Sequence, residues 1–270
     1  MKYFFDFRQD SLTKEWVIVA PRRATRPELS PDRKEICPFC PGNESRGFKE
    51  LYRVGNGIGI KPGWEVRVIP NKFPFAPIHE IVVHSPKHEE NFFSFSKTQI
   101  TKIFKVYRER FKLHEKEGQV FIFHNSGQKA GESIPHSHTQ IAVLPKNLVL
   151  EIPTTPVVEN VFRKSKLFQF FCPCDSRWSS EVWVLPKTAG KNFAESTNEE
   201  IEDLAKHFPV ILKKMKGVFG REFAFNFYIF PLYGWYLRVI PREKTLGGFE
   251  IGTNIFVNTI DSAAFAKKLA

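Results

Sequence analysis

The sequence predicts an α+β protein in which one supersecondary unit is used twice. An apolar run ending in Pro-Lys recurs at an offset of about 100 residues, at 80–87 and again at 181–187. In both copies a helical pattern follows, and then an extended segment that ends in proline. Self-similarity of this kind is the signature of a repeated structural unit. We therefore predict two halves, residues 1–150 and residues 151–270.

Each half is predicted to contain a helix flanked by strands. Apolar residues recur at helical spacing within residues 100–111 and within residues 201–215. Ser96 can cap the first helix, and Thr197 followed by Glu200 is a capping-box pattern at the start of the second. Each half thus has a helix with a defined beginning.

The segments around these helices have the composition of strands. Residues 66–70 and 223–230 are rich in β-branched and aromatic side chains and are bounded by Pro, Gly or Asn. The prolines within residues 146–175 favour an extended crossing between the halves, and a short helix capped by Asp261 is expected near the end of the chain.

Composition and charge narrow the class of protein. Of the 270 residues 42% are apolar and 26% charged, which excludes wholesale disorder and low-complexity classes. The formal net charge of +11 favours an anionic ligand such as nucleic acid, an anionic membrane or a phosphorylated metabolite. Because the charge is spread along the chain, nucleic acid is the weaker choice. Without an evident secretory signal or a run of about 18 apolar residues, we expect a cytoplasmic, soluble protein with no membrane partner.

The segment 125–141 carries the most chemistry. Gly127 and Gly131 allow backbone amides to turn inward, as in the nests that hold phosphate. After a proline the chain becomes extended, and strand alternation places three polar side chains on one face. These are His136, His138 and Gln140. The alternative interpretation is an exposed strand that happens to hold two histidines.

The four cysteines do not form a disulfide scaffold. They occur as Cys37-x-x-Cys40 and as Cys172 and Cys174, too few for a chain of this length. A redox function for the first pair is disfavoured because Pro41 and a glycine follow at once, where a helix would be needed. Thiols or a metal site are the interpretations left open, and the second pair is expected to be two thiols.

The signature His136-Ser137-His138-Thr139-Gln140, with the segment 125–135 before it, resembles the active-site motif of the galactose-1-phosphate uridylyltransferases, a branch of the histidine-triad (HIT) superfamily. The resemblance covers nearly the whole chain. Further matching segments are 12–22, 37–40, 66–74, 85–88, 176–178 and 247–253. The resemblance implies two tandem HIT-like repeats, each an antiparallel sheet with a helix, that form a half-barrel-like pseudo-dimer.

The resemblance also implies a nucleotidyltransferase. His138 is then the nucleophile that attacks the α-phosphorus of a nucleotide sugar and releases a hexose 1-phosphate, and a second hexose 1-phosphate attacks the nucleotidyl-histidine. A neutral imidazole is competent for this step, and Gln140 can donate its amide to a phosphoryl oxygen. Ser133 and Asn125 match positions that hydrogen-bond the phosphates, and Asn71 matches one near the nucleotide.

A structural zinc and a homodimer follow from the same resemblance, which implies no organic cofactor. The implied ligands are Cys37, Cys40, His88 and His136, and four protein ligands close a tetrahedral site. Phe249 and Glu250 match a sugar-contacting segment that reaches the partner subunit's site. Residues 232–241 contain no histidine, so the second half is expected to be catalytically degenerate.

Two departures from the family pattern leave the activity open. Ser137 stands where the galactose enzymes usually have proline, and the joint between the halves is shorter than usual. A serine there is familiar from the branch that acts as an ADP-glucose phosphorylase, moving an adenylyl group onto phosphate. The leading prediction is a UDP-glucose–hexose-1-phosphate uridylyltransferase of galactose metabolism, and the adenylyl-transferring phosphorylase is the alternative. A non-catalytic nucleotide or nucleic-acid binder is the third hypothesis, against which the intact His138 and Gln140 argue.

Overall fold

A computed structural model describes residues 5–25, 37–44, 49–57, 59–154 and 156–270. The strands are β1 (Asp6–Gln9), β2 (Trp16–Val19), β3 (Tyr52–Gly55), β4 (Trp64–Pro70), β5 (Ile78–Val83), β6 (Gln119–Ser126), β7 (His138–Leu144), β8 (Val161–Lys164), β9 (Phe168–Phe171), β10 (Val182–Pro186), β11 (Phe225–Ile229) and β12 (Leu237–Pro241). The helices are α1 (Lys97–His114), α2 (Asn198–Phe219), α3 (Gly248–Thr253) and α4 (Ser262–Leu269).

A ten-stranded antiparallel sheet dominates the molecule. Its strand order is β3-β4-β5-β7-β6-β11-β12-β10-β9-β8, and β1 pairs with β2 in a separate hairpin. The two halves of the chain meet where β6 pairs with β11, so that Asn125 lies opposite Asn226. A large antiparallel sheet with few helices confirms the α+β class.

The main helices begin where the sequence predicts. The Ser96 side chain accepts a hydrogen bond from the amide of Gln99 at the start of α1. At the start of α2 the Thr197 side chain and the Glu200 carboxylate each accept from the other's amide, which completes the capping box. The Asp261 carboxylate caps α4 by accepting from the amide of Ala264. These caps satisfy amides that have no partner inside a helix.

The helices pack against one face of the sheet, where most of the buried apolar side chains lie. The main apolar cluster joins α1, α2 and α4 to side chains from both halves of the sheet, for example Phe104, Phe208, Ile122 and Val239. The opposite face holds two smaller apolar clusters, one around Phe39 in the first half and one around Tyr236 in the second. No helix in the described part of the chain is both long and apolar enough to cross a membrane.

Candidate active site and metal cluster

Strand β7 presents the predicted polar face. His138 is its first residue and pairs with Val83 of β5, and Gln140 pairs with Ile81 two residues further along. Both polar side chains lie on the face opposite the helices, whereas the Thr139 hydroxyl between them contacts Tyr107 of α1. His138 is only 6% exposed. Alternation along a buried strand therefore aims the histidine and the glutamine at the same side of the sheet.

Hydrogen bonds fix the tautomer of His138. Its Nδ1 lies 2.9 Å from the carbonyl oxygen of His136. Because a carbonyl oxygen only accepts, Nδ1 carries the proton, and the lone pair of the neutral ring is on Nε2. The main chain is held as well, since Nδ1 of His124 donates to the carbonyl of His138 at 2.7 Å. The ring is thus oriented with a nucleophilic nitrogen at its far end.

Gln140 is surrounded by side chains that come from β5 and from the segment before it. His79 Nε2 lies 3.0 Å from Gln140 Oε1, and Asn71 Nδ2 donates to the same oxygen at 3.3 Å. The amide of Phe75 donates to His79 Nδ1 at 3.3 Å. Burial lowers the pKa of His79 to about 3, so this ring is neutral at physiological pH.

A second polar network lies behind β7, on the helix side. The His84 ring contacts the Ser137 hydroxyl through Nδ1 and the Thr139 hydroxyl through Nε2, each at 2.9 Å. Tyr107 donates to the Thr139 hydroxyl at 2.6 Å. Burial holds the pKa of His84 well below its usual range and lowers that of His124 to about 3. Ser137 therefore faces the interior, away from the side chains of His138 and Gln140.

Asn125 is held at the end of β6 by the second half of the molecule. The Asn226 side-chain amide donates to Asn125 Oδ1 at 2.9 Å and to the Ala130 carbonyl at 2.8 Å. Asn125 Nδ2 reaches the Gly131 carbonyl at 3.5 Å. One amide on β11 thus anchors both the strand end and the loop that follows it.

The glycine loop uses its own amides. Gly127, at φ +84°, donates its N–H to Glu132 Oε2 at 2.8 Å, and the Gly131 N–H donates to the Gln128 carbonyl at 2.9 Å. Burial raises the pKa of Glu132 to about 7, against the opposing effect of the Gly127 hydrogen bond. Ser133 follows half-buried. Phosphate binding by Gly127, Gly131 and Ser133 stays a prediction, because two of these amides already have partners.

The structure brings together the four predicted metal ligands. The ligand atoms of Cys37, Cys40, His88 and His136 all lie within 4.8 Å of one another. His136 Nδ1 is 3.6 Å from Cys37 Sγ and 3.5 Å from Cys40 Sγ, and His88 Nδ1 is 3.3 Å from Cys40 Sγ. Tetrahedral zinc with ordinary Zn–S and Zn–N bonds places sulfur and nitrogen about 3.6 Å apart. The cluster therefore has the dimensions of a metal site.

The electrostatics of this cluster also favour a cation. Burial and the neighbouring Cys37 raise the pKa of Cys40 to about 12, so two adjacent thiolates need a positive charge between them. Burial lowers the pKa of His136 to about 4. Its Nε2 donates to the Ser85 carbonyl at 2.7 Å, which leaves the Nδ1 lone pair facing the sulfurs. The donor set fits a metal ion.

Phe249 and Glu250 lie apart from these groups, on α3. The Glu250 carboxylate accepts from the Gly247 amide at 3.1 Å and lies 3.6 Å from Lys244 Nζ. Among the described residues these contacts stay within Glu250's own segment, and Phe249 is 55% exposed. A role for either residue at the site stays a prediction.

The second cysteine pair is not a disulfide. Cys172 is buried and Cys174 exposed, and both are free. Burial raises the pKa of Cys172 to about 12, which keeps it a thiol at physiological pH.

Several residues around the site were not predicted from the sequence. They are His79, His84, Tyr107, His124 and Asn226. The available signal was their position: each is a polar or hydroxyl-bearing residue inside or beside an otherwise apolar strand or helix face. A buried polar group needs a partner, so such positions indicate a hydrogen-bond network even before the partner is known.

Comparison with known proteins adds independent findings. A family model described as galactose-1-phosphate uridyl transferase, N-terminal domain, matches residues 78–145, from the start of β5 to the end of β7. An ADP-glucose phosphorylase of Arabidopsis thaliana is 26% identical over 97% of this chain and 91% of its own length. A galactose-1-phosphate uridylyltransferase of Thermotoga maritima is 24% identical over 98% of this chain and 97% of its own.

A solved structure shares the fold as well. The crystal structure of an ADP-glucose phosphorylase from Arabidopsis thaliana with bound ADP-glucose superposes with a TM-score of 0.77, at 25% identity and over 98% of both chains. With the oriented histidine and glutamine on β7, these similarities define an enzyme of the nucleotidyltransferase class. More particularly, the chain is similar to the galactose-1-phosphate uridylyltransferase family.

Proposed function

We propose that this enzyme transfers a nucleoside monophosphate from a nucleotide sugar to a phosphate-bearing acceptor through a covalent nucleotidyl-His138. The observation that carries the proposal is the 2.9 Å hydrogen bond from His138 Nδ1 to the His136 carbonyl. This hydrogen bond puts the lone pair on Nε2. After Nε2 has reacted, the His136 carbonyl stabilises the positive charge of the ring.

The first step forms one bond and breaks one. The Nε2 lone pair attacks the α-phosphorus, and the bond from that phosphorus to the bridging oxygen breaks, so the hexose 1-phosphate leaves with the electron pair. The ring becomes a cationic phosphoimidazolium, whose Nδ1–H bond to the His136 carbonyl strengthens as the charge develops. In the second step an acceptor phosphate oxygen attacks the same phosphorus, and His138 is released in its original neutral form.

The neighbouring polar residues have roles that follow from their chemistry. Gln140 donates its amide N–H to a phosphoryl oxygen and supplies no proton, which favours transfer to the acceptor over hydrolysis. Asn125 and Ser133 hydrogen-bond the phosphates, with the amides around Gly127 and Gly131 beside them. Asn71 donates to Gln140 Oε1, which supports its proposed place near the nucleotide.

Two donors are supported, and they differ in the base. UDP-glucose with galactose 1-phosphate as acceptor is the leading candidate, consistent with the Thermotoga relative. ADP-glucose with phosphate as acceptor is supported by the phosphorylase relative and by the structure named with bound ADP-glucose. Ser137, which distinguishes the two branches in sequence, faces the interior and contacts His84. It can influence base choice only indirectly. Similarity to a family of enzymes argues against a non-catalytic binder.

For the metal we propose structural zinc held by the Cys37, Cys40, His88 and His136 cluster. Four protein ligands leave no open coordination position, so the ion ties the segment around residues 37–40 to the start of β7 and supplies no reacting group. Because His136 is also the acceptor for His138, the ion stabilises the carbonyl that orients the nucleophile.

The sheet order supports the repeat, the two halves 1–150 and 151–270, and the pseudo-dimer. Read from one edge the order is β3-β4-β5-β7-β6, and read from the other edge it is β8-β9-β10-β12-β11. Each series has the helix between its third-listed and fifth-listed strands along the chain, α1 in one and α2 in the other. This symmetry is what two HIT-like units joined at β6 and β11 would produce.

A homodimer is also part of the proposal. The C-terminal segment exposes Phe249, Ile251, Ile255 and Val257 within nine residues. Apolar side chains clustered in this way are typical of an interface. A second copy of the chain would cover them and would bring Glu250 to the partner's site.

The covalent step is tested by intact-mass measurement after incubation with UDP-glucose or ADP-glucose and no acceptor. We expect a uridylyl or an adenylyl increment on the wild-type protein, no increment on His138→Gly, and an unchanged increment on His207→Gln, a histidine on α2 outside the site. The base that is transferred selects between the two donors. Absence of an increment with both donors, or an increment that survives in His138→Gly, would contradict the proposal.

A further inference from the structure

We propose that His79 is a positioning residue, which holds the side-chain amide of Gln140 with its oxygen inward and its NH2 group toward the reacting phosphorus. His79 belongs to β5 and lies on the same face as Ile81, the residue that pairs with Gln140. The importance of the Gln140 NH2 group rests on the proposed function. The orientation itself rests on contacts of this chain alone.

The tautomer of His79 is set by a backbone amide. Its Nδ1 receives a hydrogen bond from the backbone amide of Phe75 at 3.3 Å. A backbone N–H can only donate, so Nδ1 carries a lone pair and no proton. A neutral imidazole has one N–H, which must then be on Nε2. One backbone amide therefore decides which nitrogen of the ring is a donor.

The tautomer of His79 in turn sets the orientation of the Gln140 side chain. The Gln140 atom nearest to His79 Nε2 lies 3.0 Å away. If this atom were the amide nitrogen, two N–H groups would face each other, and relieving the clash would require an imidazole without any proton. The atom is therefore the oxygen, Oε1. The NH2 group of Gln140 consequently points the other way and is available as a donor.

Asn71 repeats the same arrangement on the other side of Oε1. Its Oδ1 accepts from the backbone amide of Phe73 at 2.8 Å, so its Nδ2 is free to turn toward Gln140, to which it donates at 3.3 Å. Asn71 Nδ2 and His79 Nε2 are 3.2 Å apart because both approach the one oxygen. Two backbone amides thus set two side chains, and these two saturate the oxygen of Gln140.

Neighbouring side chains pack against the His79 ring, and burial keeps it neutral. The Phe75 ring packs against it with centroids 4.2 Å apart. Burial is the main cause that lowers its pKa to about 3; the hydrogen bond to Gln140 opposes it, and the charges of Arg23 and Glu80 have smaller effects of opposite sign. A charged ring would place a proton on Nδ1 against the Phe75 N–H. The donor arrangement therefore persists at physiological pH.

The first measurement concerns the tautomer and does not depend on catalysis. Histidine-selective 15N labelling of the full chain with its metal, read through long-range 1H–15N correlations, distinguishes Nε2–H, Nδ1–H and imidazolium forms. The His79 signal is identified by its loss in His79→Gln. We expect the neutral Nε2–H form at both pH 6 and pH 8. An Nδ1–H form or an imidazolium at pH 6 would overturn the proposal.

The second measurement is a double-mutant cycle on the single-turnover rate of adduct formation. His79→Leu removes the donor, and we expect the rate to fall about tenfold, the effect of one hydrogen bond, with the nucleotide-sugar concentration for half-maximal rate little changed. His79→Gln restores an N–H donor and should recover most of the rate. In the Gln140→Ala background, His79→Leu should change the rate less than twofold.

The outcomes separate this inference from the proposed function. If the wild type forms no adduct, the proposed function fails, while the tautomer measurement still decides the orientation of Gln140. If adduct forms but His79→Leu costs the same factor with and without Gln140, His79 does not act through Gln140 and the inference is wrong. Melting temperature and metal content of each variant exclude a loss of fold as the cause, and His79→Gln serves if His79→Leu does not fold.

Discussion

The two halves of the sheet place different side chains at matching positions. In the first half His138 pairs with Val83, which lies three residues before Pro86. In the second half Arg238 pairs with Trp183, which lies three residues before Pro186. Arg238 is thus the residue that the strand register sets against His138. One position holds a group with a nucleophilic nitrogen, and the other holds a cation that has no lone pair to offer.

The surroundings of the two residues differ in the same sense. Arg238 forms a two-pronged ion pair with Glu181, at 2.6 and 2.8 Å, and its remaining nitrogen donates to the Tyr228 hydroxyl at 3.0 Å. The rings of Trp183 and Tyr236 pack 4.3 Å apart beside it. His138 is instead held by the bond from its Nδ1 to the His136 carbonyl, so that Nε2 carries the lone pair of the neutral ring. Around Arg238 the second half of the sheet is built as a packed interior, whereas the first half is built around the reactive ring of His138.

The largest effect is expected from removing a ligand of the proposed metal site, which supports His138 in the first half of the sheet. His136→Ala removes a proposed metal ligand and should abolish stoichiometric metal binding. Because the free energy of metal binding is also folding free energy in such sites, we expect a loss of roughly 5 kcal/mol or more in stability. Metal analysis together with thermal unfolding measures both losses, and a chelator should reproduce the loss of stability in the wild type.

A matched control for this prediction is Cys174→Ser, which changes an exposed free thiol outside the cluster. Its metal content and melting temperature should equal those of the wild type. A wild-type protein that is isolated without metal and is equally resistant to heat would show that the cluster is not a structural metal site.

The next largest effect is expected from a substitution at Arg238, in the second half of the sheet. Arg238→Met leaves Glu181 buried without its cation, and removing one partner of a buried ion pair costs about 3–5 kcal/mol. The variant should nevertheless form the nucleotidyl adduct at an unchanged rate per folded molecule, because Arg238 and His138 lie in different halves of the sheet. Urea unfolding and intact-mass kinetics measure the two properties separately.

The paired replacement sharpens the result. Arg238→Met combined with Glu181→Leu removes both charges and should recover a large part of the lost stability, since no unpaired carboxylate remains. If Arg238→Met alone is as stable as the wild type, the ion pair does not stabilise the second half of the sheet. If Arg238→Met folds but forms no adduct, the two halves of the sheet are not independent.

The sequence allowed much of this architecture to be predicted. The caps at Ser96 and Thr197 depend on side chains within three residues, and the face shared by His138 and Gln140 depends on strand alternation alone. Both are local rules, and both hold in the structure. The metal cluster was predictable only through resemblance, because residues 37–40 and His136 are far apart along the chain.

What the sequence could not give is the set of contacts that depend on register. His79 reaches Gln140 because β5 lies beside β7 in one particular register, and a shift by a single residue would turn it to the helix side. Asn226 supports Asn125 because β11 joins β6 across the two halves. The glycine loop had been expected to offer its amides to phosphate, but the Glu132 carboxylate occupies the Gly127 amide.

The smallest effect compares two buried or half-buried carboxylates, Glu181 with its arginine and Glu132 with a backbone N–H. Burial raises the pKa of Glu132 from 4.5 to about 7. Between these two values the folded state holds more protons than the unfolded state, so this group's contribution makes stability fall as pH rises, and the loss is complete above pH 7. A glutamine at the same position does not titrate and can still accept from the Gly127 amide.

Glu132→Gln should therefore leave stability nearly unchanged at pH 4.5 and raise it at pH 8 by about 1 kcal/mol, a modest value because the half-buried carboxyl is partly screened by water. Thermal unfolding at the two pH values gives the difference directly. The control is Glu222→Gln, an exposed carboxylate near the same loop that contacts Lys216 and not the Gly127 amide. If Glu132→Gln is equally stable relative to the wild type at both pH values, Glu132 is ionised as freely as a surface carboxylate. The Gly127 amide then donates to a fully charged carboxylate, which a substrate phosphate would have to displace.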